Sequence, residues 1–310
     1  MKLFLYKITC FIIPIVLAAY PLDILLSKML ASSNGGEISV WNDIYSGKIK
    51  AEIAVYGSSR AWVHISPKIL NESLGGTPVY NFGVDGQNFR IQYLRNIEFQ
   101  KYNPSPSFII HSVDSGTWGE ITDLYGHEQF LPYMLWNSNI YDHTKSFHGF
   151  SWYDYHTPLS RYAQKGSSMA LQSMRAKRNN GYLGVDVNWN SGVEKRLAEM
   201  GSYTIKYDYE ILTIYDRFLS ECQEKNIQVI LVYTPEHITA QSFVTNRDEG
   251  IAFIREFAQK YNLHFLDYSS DPLCYDKQYF YNATHLNKKG SELFSRQLAQ
   301  DLRDIIEGRE

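Results

Sequence analysis

Short apolar runs alternate with helical segments along most of this sequence, and this alternation constrains the fold more than any other feature. The helical segments carry apolar residues at three- and four-residue spacing, whereas the apolar runs are short enough for buried strands. Consecutive strands joined by single helical crossovers run parallel. The pattern therefore predicts an α/β fold with a mainly parallel, five-stranded sheet covered on both faces. The predicted strands are residues 53–56, 79–82, 108–110, 229–232 and 264–267, and the predicted helices are residues 89–102, 209–225, 250–261 and 288–306.

The N-terminus carries a second strong signal. Lys2 and Lys7 precede an apolar run at residues 8–26, in which Asp23 is the only charge. A positively charged start followed by an apolar segment is typical of exported proteins. We expect an uncleaved signal anchor, a transmembrane helix over residues 1–30 that keeps both lysines in the cytoplasm and places the rest of the chain in the periplasm or outside the cell. The alternatives are a cleaved signal peptide, which would give a secreted protein, and a buried N-terminal helix.

Composition excludes several classes of function. The chain has 310 residues and a formal net charge of −3, which gives no sign of a nucleic-acid partner. Its three cysteines, Cys10, Cys222 and Cys274, have no metal-ligand spacing. No phosphate-binding glycine loop occurs either. We therefore expect neither a metal nor a nucleotide cofactor.

Two segments lie outside the alternating pattern. Residues 31–50 are predicted to form a linker and a lead-in helix before a domain over residues 51–310. Residues 118–205 are rich in Trp, Tyr, His and Asn and show little periodicity apart from a predicted helix at residues 164–178. Insertions of this length are usually functional or lid-like. The aromatic residues of this insertion either stack on sugars or cover the body of the domain.

Polar residues lie at three loop positions around the predicted sheet. Gly57-Ser58-Ser59 follows the first strand, Asn81 to Gly86 follows the second, and Asn282-Ala283-Thr284-His285 precedes the last helix. In open α/β sheets, ligands bind at the carboxyl ends of the strands. A serine hydroxyl becomes a nucleophile when a base such as His285 takes its proton, and the oxyanion that forms needs preorganised donors. Spacing alone does not distinguish Ser58 from Ser59.

Each of these residues also has a structural alternative. Ser59 would then cap a helix, Gly86 would provide a turn, and His285 would be a structural histidine ahead of the last helix.

In their order and spacing, these motifs resemble the SGNH (GDSL-type) hydrolases. The first block of that family ends in the nucleophilic serine, which places the nucleophile of this chain at Ser59. Asn81 and Gly86 match the block Asn-x-x-x-x-Gly, which implies that both belong to the oxyanion and substrate group, and His285 matches the catalytic base. The sequence that follows the histidine, Leu286-Asn287-Lys288-Lys289-Gly290, is also similar to the family. The matching regions are residues 51–115 and 205–308.

The resemblance implies a flavodoxin-like, three-layer α/β/α fold and an acyl-enzyme on Ser59. It also implies that the backbone N–H groups of Ser59 and Gly86 bind the oxyanion. Ser58 stands where the family block has Asp, which looks like the members that act on cell-envelope polymers. Such relatives often work beside a membrane-bound acyltransferase that supplies the acyl group.

The third block departs from the family. The third strand runs into Val113-Asp114-Ser115-Gly116, where the family places an asparagine that donates to the oxyanion. Ser115 is the available substitute. Asp114 is expected to order the loop or to meet Arg60.

The position of the triad acid also departs from the family, because Asn282 occupies it in this chain. A neutral amide can orient a histidine but cannot stabilise an imidazolium, and the same change in the serine-protease triad lowers kcat about 10⁴-fold. Three outcomes stay open. Asn282 orients His285 in a slow enzyme; another acid, Asp276 or Asp271, or a backbone carbonyl, takes the role; or the domain only binds.

Four further residues have two possible roles. Arg60 is either a solvated charge or a ligand for an anionic substrate group. His237 follows the fourth strand and either lines the site or lies on the surface. Tyr233 and Trp118 either stack on sugars or pack in the core.

These observations predict an exported, membrane-anchored serine esterase or O-acyltransferase. The resemblance implies that its substrates are acetyl esters of a bacterial cell-surface polysaccharide, and that its partners are an acylated carbohydrate polymer or acyl donor and a membrane-bound acyltransferase. The alternative is a catalytically weak or inactive domain that binds polysaccharide or scaffolds the machinery that makes or modifies it.

Overall fold

The computed structural model describes residues 2–33, 35–163 and 176–308. It divides into two compact units, which we call the helical unit (residues 1–42 and 122–177) and the sheet unit (residues 43–121 and 178–310). Most of the helix predicted at residues 164–178 lies outside the described residues.

The described elements follow the predicted alternation. The strands are β1 (Ile53–Gly57), β2 (Val79–Asn81), β3 (Phe108–Ser112), β4 (Gln228–Tyr233) and β5 (His264–Asp267). The α-helices are α1 (Lys2–Ala31), α2 (Gly36–Ser46), α3 (Ser59–His64), α4 (Pro67–Ser73), α5 (Phe89–Tyr102), α6 (Ser138–Thr144), α7 (Trp152–His156), α8 (Ser160–Ala163), α9 (Ser191–Glu199), α10 (Tyr209–Glu224), α11 (Ile238–Gln241), α12 (Arg247–Tyr261) and α13 (Lys288–Ile306). Short 3₁₀ helices span His127–Phe130, Pro272–Tyr275 and Lys277–Tyr279.

The sheet unit contains one five-stranded sheet in the order β2-β1-β3-β4-β5, with every neighbouring pair parallel. The predicted α/β class and parallel five-stranded sheet are therefore confirmed. The order is the flavodoxin-like one, in which the chain reverses its direction of winding between β1 and β3. Ligands in such sheets bind at that reversal, outside the carboxyl ends of the strands.

Strands β1 to β4 are buried at nearly every position, so the sheet is covered on both faces along these strands, since alternate side chains of a strand point to opposite faces. On one face, Ile53 and Val55 of β1 belong to an apolar cluster that includes Phe294 and Leu298 of α13. On the other face, the Tyr56 ring stacks on Phe82 with ring centroids 5.0 Å apart. Full burial of each such side chain stabilises the fold by roughly 1.5–3 kcal/mol.

The register aligns the carboxyl ends of the three central strands. Gly57 of β1 pairs with Ser112 of β3, and Ser112 pairs with Val232 of β4. The residues that follow these three positions therefore emerge side by side at one edge of the sheet.

The helical unit contains α1, whose 30 residues are long and apolar enough to cross a membrane, a property that it shares with signal sequences. Several side chains of its first half, including Leu3, Phe11 and Leu17, are exposed. Its second half is tied to the rest of the helical unit. The Asp23 carboxylate is buried and accepts bidentate hydrogen bonds from Arg161, with N···O distances of 2.7 and 2.6 Å.

Candidate active site

The turn after β1 places two serines in different environments. Gly57 has φ of +148°, and a Cβ atom there would lie 2.6 Å from the carbonyl oxygen of Ser112, so only glycine fits. Ser58 is the N-cap of α3, and its hydroxyl accepts from the backbone N–H of Arg60 at 3.4 Å. Ser59 is the first residue of α3. The helix-cap role that the sequence left open for Ser59 is thus filled by Ser58.

Ser59 lies beside His285, although 226 positions separate the two residues in the chain. The distance between Ser59 Oγ and His285 Nε2 is 2.6 Å. Both residues are half-buried, so solvent reaches the pair. The structure therefore brings together the two side chains that serine-based acyl transfer requires.

Asn282 contacts the other ring nitrogen of His285, Nδ1. Its Oδ1 accepts from the backbone N–H groups of Thr284 at 3.0 Å and His285 at 2.9 Å, and it lies 3.0 Å from His285 Nδ1. Because backbone N–H groups only donate, the atom they contact must be the amide oxygen, and the same oxygen faces the ring. Nδ1 therefore carries the proton, and Nε2 is free to accept from Ser59.

Two residues around this ring were missed by sequence reasoning. Thr284 Oγ1 lies 2.9 Å from His285 Nδ1 and 3.2 Å from Asn282 Oδ1, so the Nδ1 proton is shared between two oxygens. The Tyr281 ring stacks on His285 at 5.4 Å with an interplanar angle of 13°. Both residues lie within or next to the Asn282–His285 motif, and their position in the motif was the available signal.

His64 was also missed, and it joins α3 to the histidine loop. It is fully buried, its Nε2 accepts from the backbone N–H of Leu286 at 3.0 Å, and its Nδ1 donates to Thr234 Oγ1 at 2.9 Å. Burial and the charge of Arg60 hold its pKa well below the usual range, so it is neutral. His64 thus fixes the backbone directly after His285.

The electrostatic surroundings of His285 disfavour its cation. Burial, and then the positive charge of Arg60, lower the pKa of His285 to about 3. The partners of Nδ1 are neutral, so neither offsets these effects. His285 is consequently an unprotonated base over the whole neutral range, and its imidazolium form is costly.

Arg60 is neither solvated nor available to an anionic substrate, and both expectations for it are wrong. The residue is 6% exposed and forms an ion pair with Glu236 at 3.2 Å. Its other nitrogens donate to the carbonyl oxygen and the hydroxyl of Thr234. Its guanidinium also lies over the Tyr233 ring, 4.7 Å from the centroid. The positive charge of Arg60 therefore acts on His285 through space.

Asp114 binds Ser58 rather than Arg60. Its Oδ2 accepts from the Ser58 hydroxyl at 2.8 Å, and its Oδ1 accepts from the backbone N–H of Gly116 at 2.9 Å. Ser115 is buried, and its backbone packs closely against Gly250 of α12. The loop after β3 is therefore ordered around the Asp114 carboxylate.

Asn81 and Gly86 have different environments. Asn81 is fully buried; its Nδ2 donates to the carbonyl oxygens of Ala61 and Ile65, each at 2.8 Å, and its Oδ1 accepts from Gly83. Asn81 therefore holds the end of α3 and does not reach a substrate, which corrects its assignment to the oxyanion and substrate group. Gly86 is exposed and has φ of +63°, a left-handed conformation that glycine adopts without strain.

Three further candidates, His237, Tyr233 and Trp118, are buried. His237 is 4% exposed, its Nδ1 accepts from Thr239, and its backbone N–H donates to the carbonyl oxygen of Ala283 in the histidine loop. The expectation of a surface histidine is thus wrong. Trp118 and Tyr233 are completely buried, so neither stacks on a sugar in this structure.

The two alternative acids do not reach His285. Asp271 accepts from Leu273 and Gln297, and Asp276 accepts from Gln278; each caps a short 3₁₀ helix. Among the described residues, no group of three or more His, Cys, Asp or Glu side chains could hold a metal ion. The chemistry that the site supports is therefore that of Ser59, His285 and the polar groups around them.

Comparisons with known proteins give likenesses only to solved structures, since no family model and no curated protein matches the chain. A lipolytic protein of the G-D-S-L family from Desulfitobacterium hafniense is 13% identical with a TM-score of 0.40, covering 80% of this chain and 97% of its own. An acetyl xylan esterase is 14% identical with a TM-score of 0.41, covering 82% and 99%. A GDSL-like lipase from Bacteroides thetaiotaomicron is 11% identical with a TM-score of 0.36, covering 86% and 100%.

Two of these three structures carry the GDSL name of the family that the sequence motifs resemble. At these identities and TM-scores, the likenesses assign neither an activity nor a substrate to this chain. Functional inference rests on the geometry of Ser59, His285 and Asn282.

Proposed function

We propose that this chain is an SGNH-type serine esterase or O-acyltransferase that forms an acyl-enzyme on Ser59. The observation that carries the proposal is the contact of 2.6 Å between Ser59 Oγ and His285 Nε2, with the His285 Nδ1 proton held by Asn282 Oδ1. In the first step, His285 takes the hydroxyl proton while Ser59 Oγ bonds to the ester carbonyl carbon. The proton then passes to the leaving alcohol, and water or a second alcohol releases the acyl group.

The oxyanion of the tetrahedral intermediate needs donors near Ser59. We assign the backbone N–H groups of Ser59 and Gly86 to this role. The left-handed turn at Gly86 and its exposure support the assignment, because the backbone there is accessible to a substrate. Ser115 is a poor third donor because it is buried against α12.

Asn282 makes the proposed enzyme slower than one with a carboxylate, but the penalty should be smaller than in other acid-to-amide triads. The roughly 10⁴-fold loss in the serine-protease triad is attributed to the wrong histidine tautomer. Here two backbone N–H groups fix the amide oxygen toward the ring, so the productive tautomer is retained. Only the stabilisation of the imidazolium by a negative charge is missing.

The test compares the full chain, purified in detergent, with Ser59→Ala and Ser58→Ala on an aryl acetate. Ser59→Ala should lower turnover to the background rate. Ser58→Ala is the matched control, because it removes a neighbouring hydroxyl and a helix cap, which is expected to cost about 1 kcal/mol of stability, but leaves Ser59 and His285 in place. Equal rates for the wild type and Ser59→Ala would refute an esterase.

We further propose that the substrate is an acetyl ester of a bacterial cell-surface polysaccharide. Release of acetate from an O-acetylated polysaccharide, or its appearance on an acceptor polymer, tests this and separates hydrolysis from transfer. In a transfer reaction, a membrane-bound acyltransferase would supply the acyl group.

A second candidate function is polysaccharide binding or scaffolding without turnover. Two observations favour it: the lowered pKa of His285, caused by burial and Arg60, and the neutral partners of its Nδ1. Binding of the polymer by both the wild type and Ser59→Ala, with no acetate released by either, would support this alternative.

We propose that α1 is retained as a membrane anchor and that the rest of the chain is extracytoplasmic. The buried Asp23–Arg161 pair supports retention, because cleavage beyond Asp23 would leave the Arg161 guanidinium buried without its carboxylate. Removing one member of a buried ion pair typically costs about 3–5 kcal/mol. Mass spectrometry of the chain from the membrane fraction should show a peptide that contains Lys7, upstream of the apolar run; a mature N-terminus beyond Lys7 would rule the anchor out.

A further inference from the structure

Exposed aromatic side chains form one continuous surface in the helical unit, and we call it the aromatic patch. Its members are Tyr20, Trp136, Trp152 and Tyr153, with exposures of 45, 58, 57 and 63%. Isolated exposed aromatics are ordinary, whereas a contiguous group of large ones usually marks a contact surface.

Direct contacts connect the patch to α1. The rings of Tyr20, on α1, and Trp136 are 5.4 Å apart. Trp136 Nε1 donates to the carbonyl oxygen of His156 at 3.2 Å, and the His156 ring stacks on Trp152 at 4.4 Å with an interplanar angle of 13°. The rings of Trp152 and Tyr153 lie 5.4 Å apart.

The backbone at Trp136 is shaped to present this side chain. Trp136 has φ of +57°, a conformation that residues other than glycine rarely adopt. Its backbone N–H donates to the carbonyl oxygen of Tyr155 at 2.8 Å, which holds the turn in place. An unusual backbone conformation at an exposed tryptophan indicates a function for the indole.

The patch and α1 are fixed to each other. Arg161 binds both carboxylate oxygens of Asp23, and the backbone N–H of Leu159 donates to the same carboxylate at 2.7 Å. The hydroxyls of Ser27 and Tyr162 lie 2.7 Å apart. The angle at which α1 leaves the helical unit is therefore set by buried contacts.

These contacts place the patch where α1 would leave a bilayer. The part of α1 from Lys2 to Tyr20 carries exposed apolar side chains from Leu3 to Leu17 and is about 27 Å long at 1.5 Å per residue, which is close to a hydrocarbon core. Tyr20 follows within one turn. Tryptophan and tyrosine favour the headgroup region of membranes because their rings have an apolar body and a polar edge.

We propose that the aromatic patch lies in the headgroup layer of the membrane that α1 spans, so that the helical unit rests on the lipid surface. The inference depends on the proposed membrane anchor. Continuity from Tyr20 to Trp136 selects the lipid rather than a sugar polymer as the occupant, because α1 itself contributes to the patch.

The test uses the full chain reconstituted into vesicles of phosphatidylethanolamine and phosphatidylglycerol, with or without bromine on the acyl chains near the headgroups. Bromine quenches tryptophan emission at short range. The difference in tryptophan emission between the wild type and the double variant Trp136→Phe/Trp152→Phe gives the emission of these two residues. We expect brominated vesicles to quench this emission several-fold more strongly than plain vesicles. Trp118→Phe is the control, because Trp118 is buried in the sheet unit and its component should be insensitive to bromine.

Two further measurements keep the outcomes distinct. Near-UV circular dichroism checks that each variant is folded, and Trp152→Phe alone, at an exposed helix end, replaces the double variant if that one fails. Flotation after alkaline extraction tests the anchor: a chain that does not float refutes the spanning helix. A chain that floats but whose Trp136 and Trp152 emission is insensitive to bromine refutes the aromatic patch as a lipid contact and leaves the anchor intact.

Discussion

Two loops at the candidate site are built around a single side chain each, and they differ mainly in charge. In the loop after β3, the Asp114 carboxylate accepts from the Gly116 backbone and from Ser58. In the loop before α13, the Asn282 amide oxygen accepts from the backbone of Thr284 and His285 and from the His285 ring. The carboxylate orders the neighbour of the proposed nucleophile, whereas the base has only an amide.

The comparison shows that position and charge are separable at this site. Asn282 orients His285 without any charge, because its oxygen is held by backbone donors that would hold a carboxylate equally well. What an amide cannot do is offset burial and the positive charge of Arg60, which together lower the pKa of His285.

The largest change in kcat should come from removing the Asn282 amide oxygen, the hydrogen-bond acceptor in the loop before α13. Asn282→Ala leaves the two backbone N–H groups without their acceptor and the Nδ1 proton with only the Thr284 hydroxyl, so the ring loses its main orienting partner. We expect about a 10³-fold loss in kcat, as for removal of a preorganised polar group in other active sites, measured with the aryl acetate assay. Retention of most activity would mean that Thr284 alone orients the ring.

The matched change that restores charge should act in the opposite direction. Asn282→Asp keeps the shape and the backbone contacts while adding the negative charge that stabilises the imidazolium. An increase in kcat of about 10- to 100-fold is expected, since one unit of pKa corresponds to 1.36 kcal/mol. Unchanged or lower activity would show that His285 relies on a different group.

The same substitution should move the pH profile. With the pKa of His285 near 3, the base is neutral at every pH above about 4, so the wild-type kcat/KM should have no acid limb between pH 5 and 7. A carboxylate at position 282 favours the protonated ring and raises this pKa, so an acid limb should appear closer to neutrality. A wild-type limb near pH 6.5 would contradict the lowered pKa.

Thr284 should contribute less than Asn282, because it shares the Nδ1 proton without being its only acceptor. Thr284→Val keeps the branched shape and removes the hydroxyl, and a loss of roughly 1 kcal/mol, or about fivefold in kcat, is expected for one neutral hydrogen bond. Thr284→Ser, which keeps the hydroxyl, should restore the rate; failure to do so would indicate a packing role.

Residues with regular local patterns were predicted well from the sequence. Helices α5 and α13 begin and end where they were predicted, because their apolar spacing is uninterrupted and their ends carry an asparagine cap and a break in the pattern. The parallel sheet followed from the alternation of elements. These features depend on neighbours in the chain.

Residues whose roles depend on distant partners could not be predicted in the same way. Arg60 was expected to be solvated or free, and it is buried because Glu236, far along the chain, supplies the opposite charge. Ser58 and Ser59 have the same local sequence environment, and only the approach of His285 distinguishes them. His64 gave no signal, since its partner Leu286 lies 222 positions away.

The smallest change in kcat should come from the opposite substitution, acid to amide, at Asp114 in the loop after β3. Asp114→Asn keeps an oxygen for Gly116 but replaces a charged acceptor for Ser58 with a neutral one, and Ser58 is not the proposed nucleophile. We expect no more than about a threefold change in kcat, the scale of an indirect, half-exposed charge. The double variant Asp114→Asn/Asn282→Asp moves the carboxylate from the loop after β3 to the loop before α13. It should retain nearly all of the increase in kcat expected for Asn282→Asp alone. Loss of that gain in the double variant would show that the Asp114 charge acts on the reaction itself.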